Sequence, residues 1–185
     1  MGLLDKLSNF LSSKKKDANI LVVGLDNSGK TSLLNQLKPA DSKTLTIVPT
    51  VGFNVEKFQC KALNFTTFDM SGQGKYRNLW EHYYKEIDAI IYVIDSSDRM
   101  RLVVSKEELL NMVDHVELRN RNIPILVFAN KMDVKGAYSV QDVSEELELN
   151  QIRNKRLKIF GSNALNGDGV NEGIEWLAQI IKAEA

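Results

Sequence analysis

One short stretch restricts the fold of this 185-residue chain more than any other: Gly24-Leu25-Asp26-Asn27-Ser28-Gly29-Lys30-Thr31. The apolar run 19–23 comes before it and an amphipathic segment, 32–37, follows, which predicts a strand, a glycine turn and a helix. The spacing matches G-x-x-x-x-G-K-[ST], the phosphate-binding P-loop. Such a loop points its backbone N–H groups into one concavity, which the positive end of the helix completes. We therefore expect the chain to bind a nucleoside triphosphate.

Individual side chains of this stretch have distinct predicted tasks. We expect Lys30 to reach the β- and γ-phosphates, where its charge also serves catalysis, and the Thr31 hydroxyl to bind Mg²⁺. The alternative, an ordinary glycine turn before a helix, does not require every fixed position of the motif to be filled. The residues predicted to contact the nucleotide here are Gly24, Leu25, Asp26, Asn27, Ser28, Gly29, Lys30, Thr31 and Ser32.

The rest of the chain alternates between strand and helix patterns. A period of two predicts an antiparallel hairpin, 53–58 and 63–68, joined by Gln59-Cys60-Lys61-Ala62, and Lys38-Pro39 ends the preceding helix. The order βαββαβαβαβα predicts an α/β fold of three layers: a six-stranded, mostly parallel, doubly wound sheet with the first hairpin strand at its edge. Further strands are predicted at 89–94, 123–129 and 157–160, and helices at 105–118, 140–149 and 173–183.

The first sixteen residues stand apart from this pattern. Their apolar side chains fall on one helical face, and Lys14-Lys15-Lys16 follows. This predicts an amphipathic helix with a basic linker (1–16) before a single domain (17–185). The helix either lies on a membrane with its lysines over anionic lipid, or packs on its own domain. Gly2 invites a myristoylation prediction, but Lys6 occupies the position where that motif has Ser or Thr. The apolar face consists of Leu3, Leu4, Leu7, Phe10 and Leu11.

Composition excludes several classes of protein. The 24 basic residues balance the 24 acidic ones, so bulk charge gives no indication of a nucleic-acid partner. A single cysteine, Cys60, cannot form an internal disulfide, which suits the cytosol. No apolar run approaches the roughly 18 residues of a transmembrane helix.

Two segments after the P-loop have residues suited to sensing a γ-phosphate. In the irregular loop 40–52, Thr50 can offer its hydroxyl to Mg²⁺ and its backbone N–H to the phosphate, although most single threonines in loops have no such role. After the second hairpin strand, Asp69 is predicted to hold Mg²⁺ through water, and Gly72 to donate its N–H to the γ-phosphate. We expect Gln73 to orient the attacking water for in-line displacement.

The predicted base site lies after two later strands. Asn130-Lys131-Met132-Asp133 reads N-K-x-D, and an ionised Asp133 can accept hydrogen bonds from N1–H and the 2-amino group of guanine, which adenine lacks. We expect the Lys131 stem to cover one face of the base and Asn130 to join this loop to the P-loop. In Ser162-Asn163-Ala164-Leu165, a backbone N–H near Ala164 can donate to guanine O6.

These motifs together resemble the small GTPases of the Ras superfamily over nearly the whole chain, and within it the Arf and Arf-like branch. The resemblance implies a Ras-like G domain that binds GTP or GDP with Mg²⁺ and acts as a weak GTPase switch. It departs from Arf proteins at Ser71, where many have glycine, and at Phe68, where they have tryptophan. The matching stretches are Gly-Leu-Asp-x-x-Gly-Lys-Thr at 24–31, Pro-Thr-x-Gly-Phe-Asn-Val-Glu at 49–56, Leu-Trp-x-His-Tyr at 79–83, Asp95-Ser96-Ser97-Asp98-Arg99 and Asn-Lys-Met-Asp at 130–133.

The segment 69–86 is similar to the Arf-like subfamily linked to Bardet–Biedl syndrome. This resemblance implies that the GTP form recruits the BBSome coat to membranes at the base of cilia, from a cytoplasmic pool that binds membranes reversibly. The resemblance to the Arf family also implies an effector surface at Phe53, Phe68 and Tyr83. The alternative for these aromatics is a place in the core.

The resemblance implies a further conformational step, a two-residue slide of the hairpin 53–68 that ejects the amino-terminal helix in the GTP state. A two-residue slip keeps each side chain on its own face of the sheet, so the sequence permits it. Hydrolysis is expected to be slow, because the loop 40–52 has no arginine and a partner must supply one. Asp26 places a carboxylate near the transferring phosphoryl group and is a candidate brake. An exchange factor and an activating protein are implied without being identified.

Two other functions use the same P-loop. A metabolic kinase would leave Asn130-Lys131-Met132-Asp133 without a task and would need an arginine-rich lid. A GTP-dependent binding module without meaningful hydrolysis would have no use for Gln73. Comparing GTP turnover of the protein alone and with cell extract separates a switch from such a module.

Overall fold

Six strands form one sheet in the computed structural model, which describes residues 16–61 and 63–183. The strand order is β2-β3-β1-β4-β5-β6; β2 and β3 pair antiparallel, and every other neighbouring pair is parallel. The predicted mostly parallel sheet with an antiparallel edge strand is therefore confirmed. The strands are β1 (Lys16–Val23), β2 (Phe53–Cys60), β3 (Leu63–Met70), β4 (Ala89–Asp95), β5 (Ile125–Asn130) and β6 (Leu157–Gly161).

Helices cover both faces of the sheet, as predicted for a doubly wound fold. Because side chains alternate along β1, Ile20 and Val22 point into one core and Leu21 and Val23 into the other. One core includes α1 and α4, and the other includes α2 and α3. The helices are α1 (Lys30–Leu37), α2 (Leu102–Asp114), α3 (Val140–Glu146) and α4 (Val170–Ala183), with 3₁₀ helices at Ala40–Ser42, Gly74–Tyr83, Arg99–Arg101 and Leu149–Gln151.

The central strands read as continuous apolar runs because they are covered on both faces. All six residues of β5 are buried, and only the last residue of β4, Asp95, is partly exposed. The carboxyl ends of β1, β4 and β5 lie side by side, since Val23 pairs with Tyr92 and Asp95 pairs with Asn130. This edge of the sheet brings together the loops with the sequence motifs.

Several predicted boundaries are shifted. The hairpin strands are longer than predicted, so that Cys60 belongs to β2, only 61–62 connect the strands, and Asp69 lies inside β3. Helix α2 begins at Leu102, because burial of this leucine outweighs the weak helix preference of Val103-Val104. The predicted helix 140–149 ends at Glu146, and Glu148 takes a left-handed conformation with φ of 51°.

The amino-terminal segment is described only from Lys16 onward. Lys16 is already part of β1 and donates its Nζ hydrogen to the Ile181 carbonyl at 2.9 Å, so the sheet begins one residue before the predicted domain boundary. The predicted amphipathic helix lies in residues outside the described part of the chain. Among residues 16–61 and 63–183, none of the helices has the length and apolarity needed to cross a bilayer.

Candidate functional site

The predicted P-loop is a tight connection from β1 to α1. It begins at Gly24, whose φ is 141°, and a Cβ at this position would lie 2.1 Å from the Val93 carbonyl oxygen of the neighbouring strand. Gly29, with φ of 94°, is the residue before the helix, and no side chain caps that helix end. The first N–H groups of α1 therefore remain available to an anion.

Lys30 is held inside the concavity of this loop. Its ammonium donates to the Gly24 carbonyl at 3.1 Å and the Leu25 carbonyl at 2.8 Å. Burial lowers the pKa of Lys30 to about 8, while the carboxylates of Asp69 and Asp26 oppose that shift. The ammonium is thus fixed within the phosphate loop by contacts to its own backbone.

Three segments converge on the hydroxyl of Thr31. It donates to Asp69 Oδ2 at 2.6 Å, and it lies 2.9 Å from the hydroxyl of Thr50. Asp69 is buried, its Oδ1 has no hydrogen-bond partner in the described part of the chain, and burial raises its pKa against the hydrogen bond from Thr31. Two hydroxyls and a carboxylate with an unused oxygen are a donor set that suits Mg²⁺. The three predicted metal ligands are therefore brought together.

Gly72 lies directly against the P-loop. A Cβ there would be 2.2 Å from the backbone nitrogen of Asp26 and 2.4 Å from the Gly24 carbonyl oxygen, so no side chain can occupy this position without moving backbone. The neighbouring Ser71 is buried and donates its N–H to the Gly52 carbonyl at 2.9 Å. Its carbonyl accepts from the indole nitrogen of Trp80 at 3.2 Å. The segment after β3 is anchored while Gly72 touches the phosphate loop.

These segments enclose a cleft of about 400 Å³. The side-chain amide of Gln73 has no hydrogen-bond partner among residues 16–61 and 63–183, which leaves it available to a ligand or a water in the cleft. Both walls come from segments predicted to sense a γ-phosphate. The lining residues are Asp26, Asn27, Gly29, Lys30, Thr31, Ser32, Ile47, Val48, Pro49, Thr50, Ser71, Gly72 and Gln73.

Asn130 joins three loops through its buried side-chain amide. Its Nδ2 donates to the Ser28 carbonyl at 2.8 Å, which confirms the predicted link to the P-loop. Its Oδ1 accepts from the Ser162 hydroxyl at 3.1 Å and from the Ala164 N–H at 3.0 Å. The Ala164 N–H predicted to bind guanine O6 is thus already engaged, and it must share or exchange this bond to reach a base. Ser162 is a support that the sequence analysis missed.

The two charged residues of the N-K-x-D motif differ in their surroundings. Lys131 has φ of 65°, and its Nζ lies 2.6 Å from Asp95 Oδ2, which fixes the aliphatic stem. Burial works to raise the pKa of Asp95, but Lys131 and hydrogen bonds from Ser97 outweigh it and the pKa lies below its ordinary value. Asp133 is exposed, and its carboxylate has no partner in the described part of the chain. An unpaired carboxylate beside an anchored lysine is available to accept hydrogen bonds from a base.

Two arginines near the phosphate cleft did not emerge from the sequence analysis. Arg101 donates to Asp26 Oδ1 at 3.1 Å and to Asp98 Oδ2 at 2.6 Å. Arg77 donates to the Gly72 carbonyl at 2.9 Å and to Glu108 at 2.7 Å. No local motif marks either arginine, because the carboxylates that link them to other elements, Asp26 and Glu108, are 75 and 31 positions away.

The three aromatics of the predicted effector surface form one cluster. The ring centroid of Tyr83 lies 5.5 Å from that of Phe53 and 4.8 Å from that of Phe68. Phe53 is 47% exposed, whereas Phe68 and Tyr83 are half-buried and pack against one of the two cores. The cluster therefore combines support from the core with an exposed apolar edge.

Comparisons with known proteins give a consistent result. The model of the ADP-ribosylation factor family matches residues 4–181. ADP-ribosylation factor-like protein 6 of Danio rerio is 55% identical over 183 residues, covering 99% of this chain and 98% of that protein. The protein of the same name from Caenorhabditis elegans is 45% identical over 183 residues, covering 98% of this chain and 96% of that protein.

A solved structure is similar in fold as well as in sequence. It is described as the Arl6 BBS3 small GTPase from Trypanosoma brucei with the bound nucleotide analogue GppNp. The TM-score is 0.86 at 43% identity, and the match covers 92% of this chain and all of that one (100%).

Proposed function

The chain belongs to the ADP-ribosylation factor family, and we propose that its GTP form attaches to membranes and recruits a coat complex. As a member of that family it is a small GTPase, which binds GTP and GDP and hydrolyses GTP. The observation that carries the proposal is the meeting of Thr50 and Gly72 at the P-loop, one from each wall of the cleft. Both segments are then able to report whether a γ-phosphate is present.

Thr31, Thr50 and Asp69 are the residues that would hold Mg²⁺, with Asp69 acting through water. The unpartnered Oδ1 of buried Asp69 supports this assignment. Mg²⁺, when bound, neutralises charge that develops on the phosphate oxygens. Replacing Thr31 by Asn should abolish the slowing of GTP release by added Mg²⁺. The control is Thr46→Asn in the exposed part of the loop, which should respond to Mg²⁺ like the unchanged protein.

Asp133, Lys131 and the loop with Asn163 and Ala164 are proposed to select guanine. The free Asp133 carboxylate accepts from N1–H and the 2-amino group, and the Lys131 stem covers one face of the base. Adenine lacks both of these donors. GTP and GDP should therefore displace a fluorescent guanine nucleotide, whereas ATP should not.

Hydrolysis is proposed to be slow in the isolated protein, with Gln73 orienting the attacking water and Lys30 contributing charge. The two arginines whose charges reach Lys30, Arg77 and Arg101, are each paired with a carboxylate. Neither is free to act as an arginine finger, so an activating protein should supply one. Gln73→Leu should bind GTP as before but turn it over slowly even with cell extract. Turnover at the same rate as the unchanged protein would contradict the role of Gln73.

The alternative of a GTP-binding module without meaningful hydrolysis uses the same pocket. It predicts that cell extract adds no turnover to the unchanged protein. The switch predicts extract-dependent turnover that Gln73→Leu removes.

Residues 1–16 are proposed to attach the GTP form to membranes after the β2–β3 hairpin slides by two residues. The test should remove residues 1–15 only, because Lys16 belongs to β1. A single change is cleaner: Phe10→Asp puts a charge on the apolar face, and Asn9→Asp puts it on the polar face. Phe10→Asp alone should abolish GTP-dependent binding to liposomes. Equal binding by both variants would contradict the proposal.

The cluster of Phe53, Phe68 and Tyr83 is the proposed contact for the effector. The similar Trypanosoma brucei protein bears the name BBS3, which supports the BBSome as that effector. The protein would then move between the cytoplasm and the ciliary base as a peripheral membrane protein. A pull-down with GTP-loaded and GDP-loaded protein tests this, and Phe53→Ala should lose the GTP-specific partner. An unknown exchange factor would load the GTP.

A further inference from the structure

The segment 95–101 carries a motif that the proposed function leaves without a task, Asp95-Ser96-Ser97-Asp98-Arg99, followed by Met100 and Arg101. It connects β4 to α2 through a 3₁₀ turn and contacts both nucleotide loops. Asp95 forms the ion pair with Lys131 of the base loop at 2.6 Å, and Arg101 forms the one with Asp26 of the P-loop at 3.1 Å.

The Arg101 guanidinium is itself held in place. Its Nε donates to Asp98 Oδ2 at 2.6 Å, while its Nη1 donates to Asp26 Oδ1. Asp98 lies in the same turn, so the guanidinium is oriented locally before it reaches across to the P-loop. One cation therefore bridges two carboxylates, and it holds Asp26 Oδ1 of the P-loop.

Asp26 occupies a position where an unpaired charge would matter. It lines the phosphate cleft, and its backbone nitrogen lies 2.2 Å from a Cβ built on Gly72. Its carboxylate is also close enough to Lys30 to act on that ammonium. A carboxylate free to rotate here would approach the most negative part of GTP, while GDP would lack the phosphate that it repels.

The pair between Arg101 and Asp26 contributes little to the stability of the fold. The Asp26 and Arg101 side chains are 48% and 34% exposed, and exposed ion pairs contribute little to folding. Its effect should instead be local, on the charge next to the γ-phosphate. Loss of the pair should therefore change nucleotide affinity while leaving the stability of the fold nearly unchanged.

We propose that Arg101 is a positioning residue that holds the Asp26 carboxylate away from the γ-phosphate and thereby raises the affinity for GTP relative to that for GDP. The proposal rests on the proposed γ-phosphate site. Asp95 supports the same nucleotide at its other end, through Lys131, where GTP and GDP are identical.

The test measures dissociation constants for GppNHp and GDP by displacement of a fluorescent guanine nucleotide. Arg101→Met should weaken GppNHp binding about fivefold more than GDP binding, the size expected for one exposed charge acting over a few ångströms. Arg101→Lys should return the ratio of the two affinities most of the way to that of the unchanged protein, since lysine restores the positive charge. The double variant Arg101→Met with Asp26→Asn should also return this ratio toward its original value, because the carboxylate that repels the γ-phosphate is gone.

Arg99 provides a matched control in the same turn. Its guanidinium stacks 4.2 Å from the Tyr138 ring centroid and donates to the Gly136 carbonyl, away from the P-loop. Arg99→Met should leave the ratio of the two affinities unchanged, and Asp95→Asn should weaken both nucleotides equally.

Three outcomes overturn the proposal: an unchanged affinity ratio in Arg101→Met, equal weakening of both nucleotides, or no restoration in the double variant. Thermal melting of each variant without nucleotide checks that the fold is retained. If the unchanged protein itself bound neither nucleotide, the proposed nucleotide site would fail rather than the role of Arg101.

Discussion

The side-chain amide of Asn130 donates to the Ser28 carbonyl at 2.8 Å, although the two residues are 102 positions apart. The base loop and the phosphate loop are thereby held as one unit. The bond is buried, and the same side chain also accepts from Ser162 and Ala164. A nucleotide bound at one loop is therefore coupled to the position of the other.

Asn130→Ala should release nucleotide faster and destabilise the protein. It leaves the Ser28 carbonyl and the Ala164 N–H without their partner, and a buried unsatisfied group costs about 1–3 kcal/mol. We expect release of a fluorescent GDP analogue to accelerate by roughly tenfold or more, in line with such a loss. The control is Asn166→Ala, which removes an exposed amide that donates to Asp168 Oδ2 and accepts from the Asp168 N–H. Release at the original rate from Asn130→Ala would show that the link does not hold the nucleotide.

Gly72→Ala should impair the GTP form selectively. The added methyl group would lie 2.2 Å from P-loop backbone atoms, so either the P-loop or the segment after β3 would have to move. The segment after β3 then cannot approach the γ-phosphate, whereas GDP makes no demand on it. Affinities for GppNHp and GDP, measured by calorimetry, should show a loss for GppNHp only.

Gly74→Ala is the matched control for that change. A Cβ at Gly74 meets nothing within 4 Å. Its affinities should equal those of the unchanged protein. If Gly72→Ala behaved in the same way, the close contact between Gly72 and the P-loop would have no functional consequence.

A cross-link between β1 and β3 should block the proposed hairpin slide. Asp17 and Asn64 are paired across these strands, and their side chains already meet at 2.8 Å. In a Cys60→Ser background, Asp17→Cys with Asn64→Cys should form a disulfide, since neighbouring strands lie at a suitable distance. Liposome binding should then no longer depend on the nucleotide, and reduction should restore the dependence.

The hairpin offers a control that shares one cysteine. Gln59 pairs with Asn64 across β2 and β3, which move together in the slide. Cross-linking Gln59→Cys to Asn64→Cys should leave nucleotide-dependent binding intact. Equal behaviour of the two cross-links would argue against a slide of β3 along β1.

Cys60 should react slowly with alkylating reagents at moderate pH. Burial raises the pKa of its thiol, and the charge of Lys61 opposes this only in part. The fold favours the neutral thiol, so the contribution of Cys60 to the free energy of unfolding is fully present below the pKa of the unfolded chain. This contribution is lost as the pH rises through the higher pKa of the folded protein. The rate of reaction with iodoacetamide, followed by mass spectrometry, should rise at a higher pH in the folded protein than in urea. A folded-state midpoint at or below the one in urea would contradict this.

The sequence predicted those features that depend on neighbouring residues. Strand periodicity, the glycines of the P-loop and the N-K-x-D spacing are local, and parallel strands bring their ends to one edge without further information. Hence the convergence of Thr31, Thr50 and Asp69 agrees with the predicted metal site.

Contacts between distant residues were not predictable in the same way. Arg101 meets Asp26 across 75 positions, and no pattern in either segment indicates the partner. The bond from the Ala164 N–H to Asn130 also escaped prediction, because several acceptors compete for one donor in the folded loop. The sequence predicts that Asp26 places a carboxylate near the transferring phosphoryl group, and the pairing with Arg101 changes how its charge acts.

We propose that the γ-phosphate controls recruitment of a coat complex to membranes. The most direct measurement is the amount of purified BBSome retained on liposomes by GppNHp-loaded and by GDP-loaded protein. We expect retention to be at least about tenfold greater with GppNHp, which lies in the range of ordinary coupling between two sites. Equal retention in the two nucleotide states would contradict it.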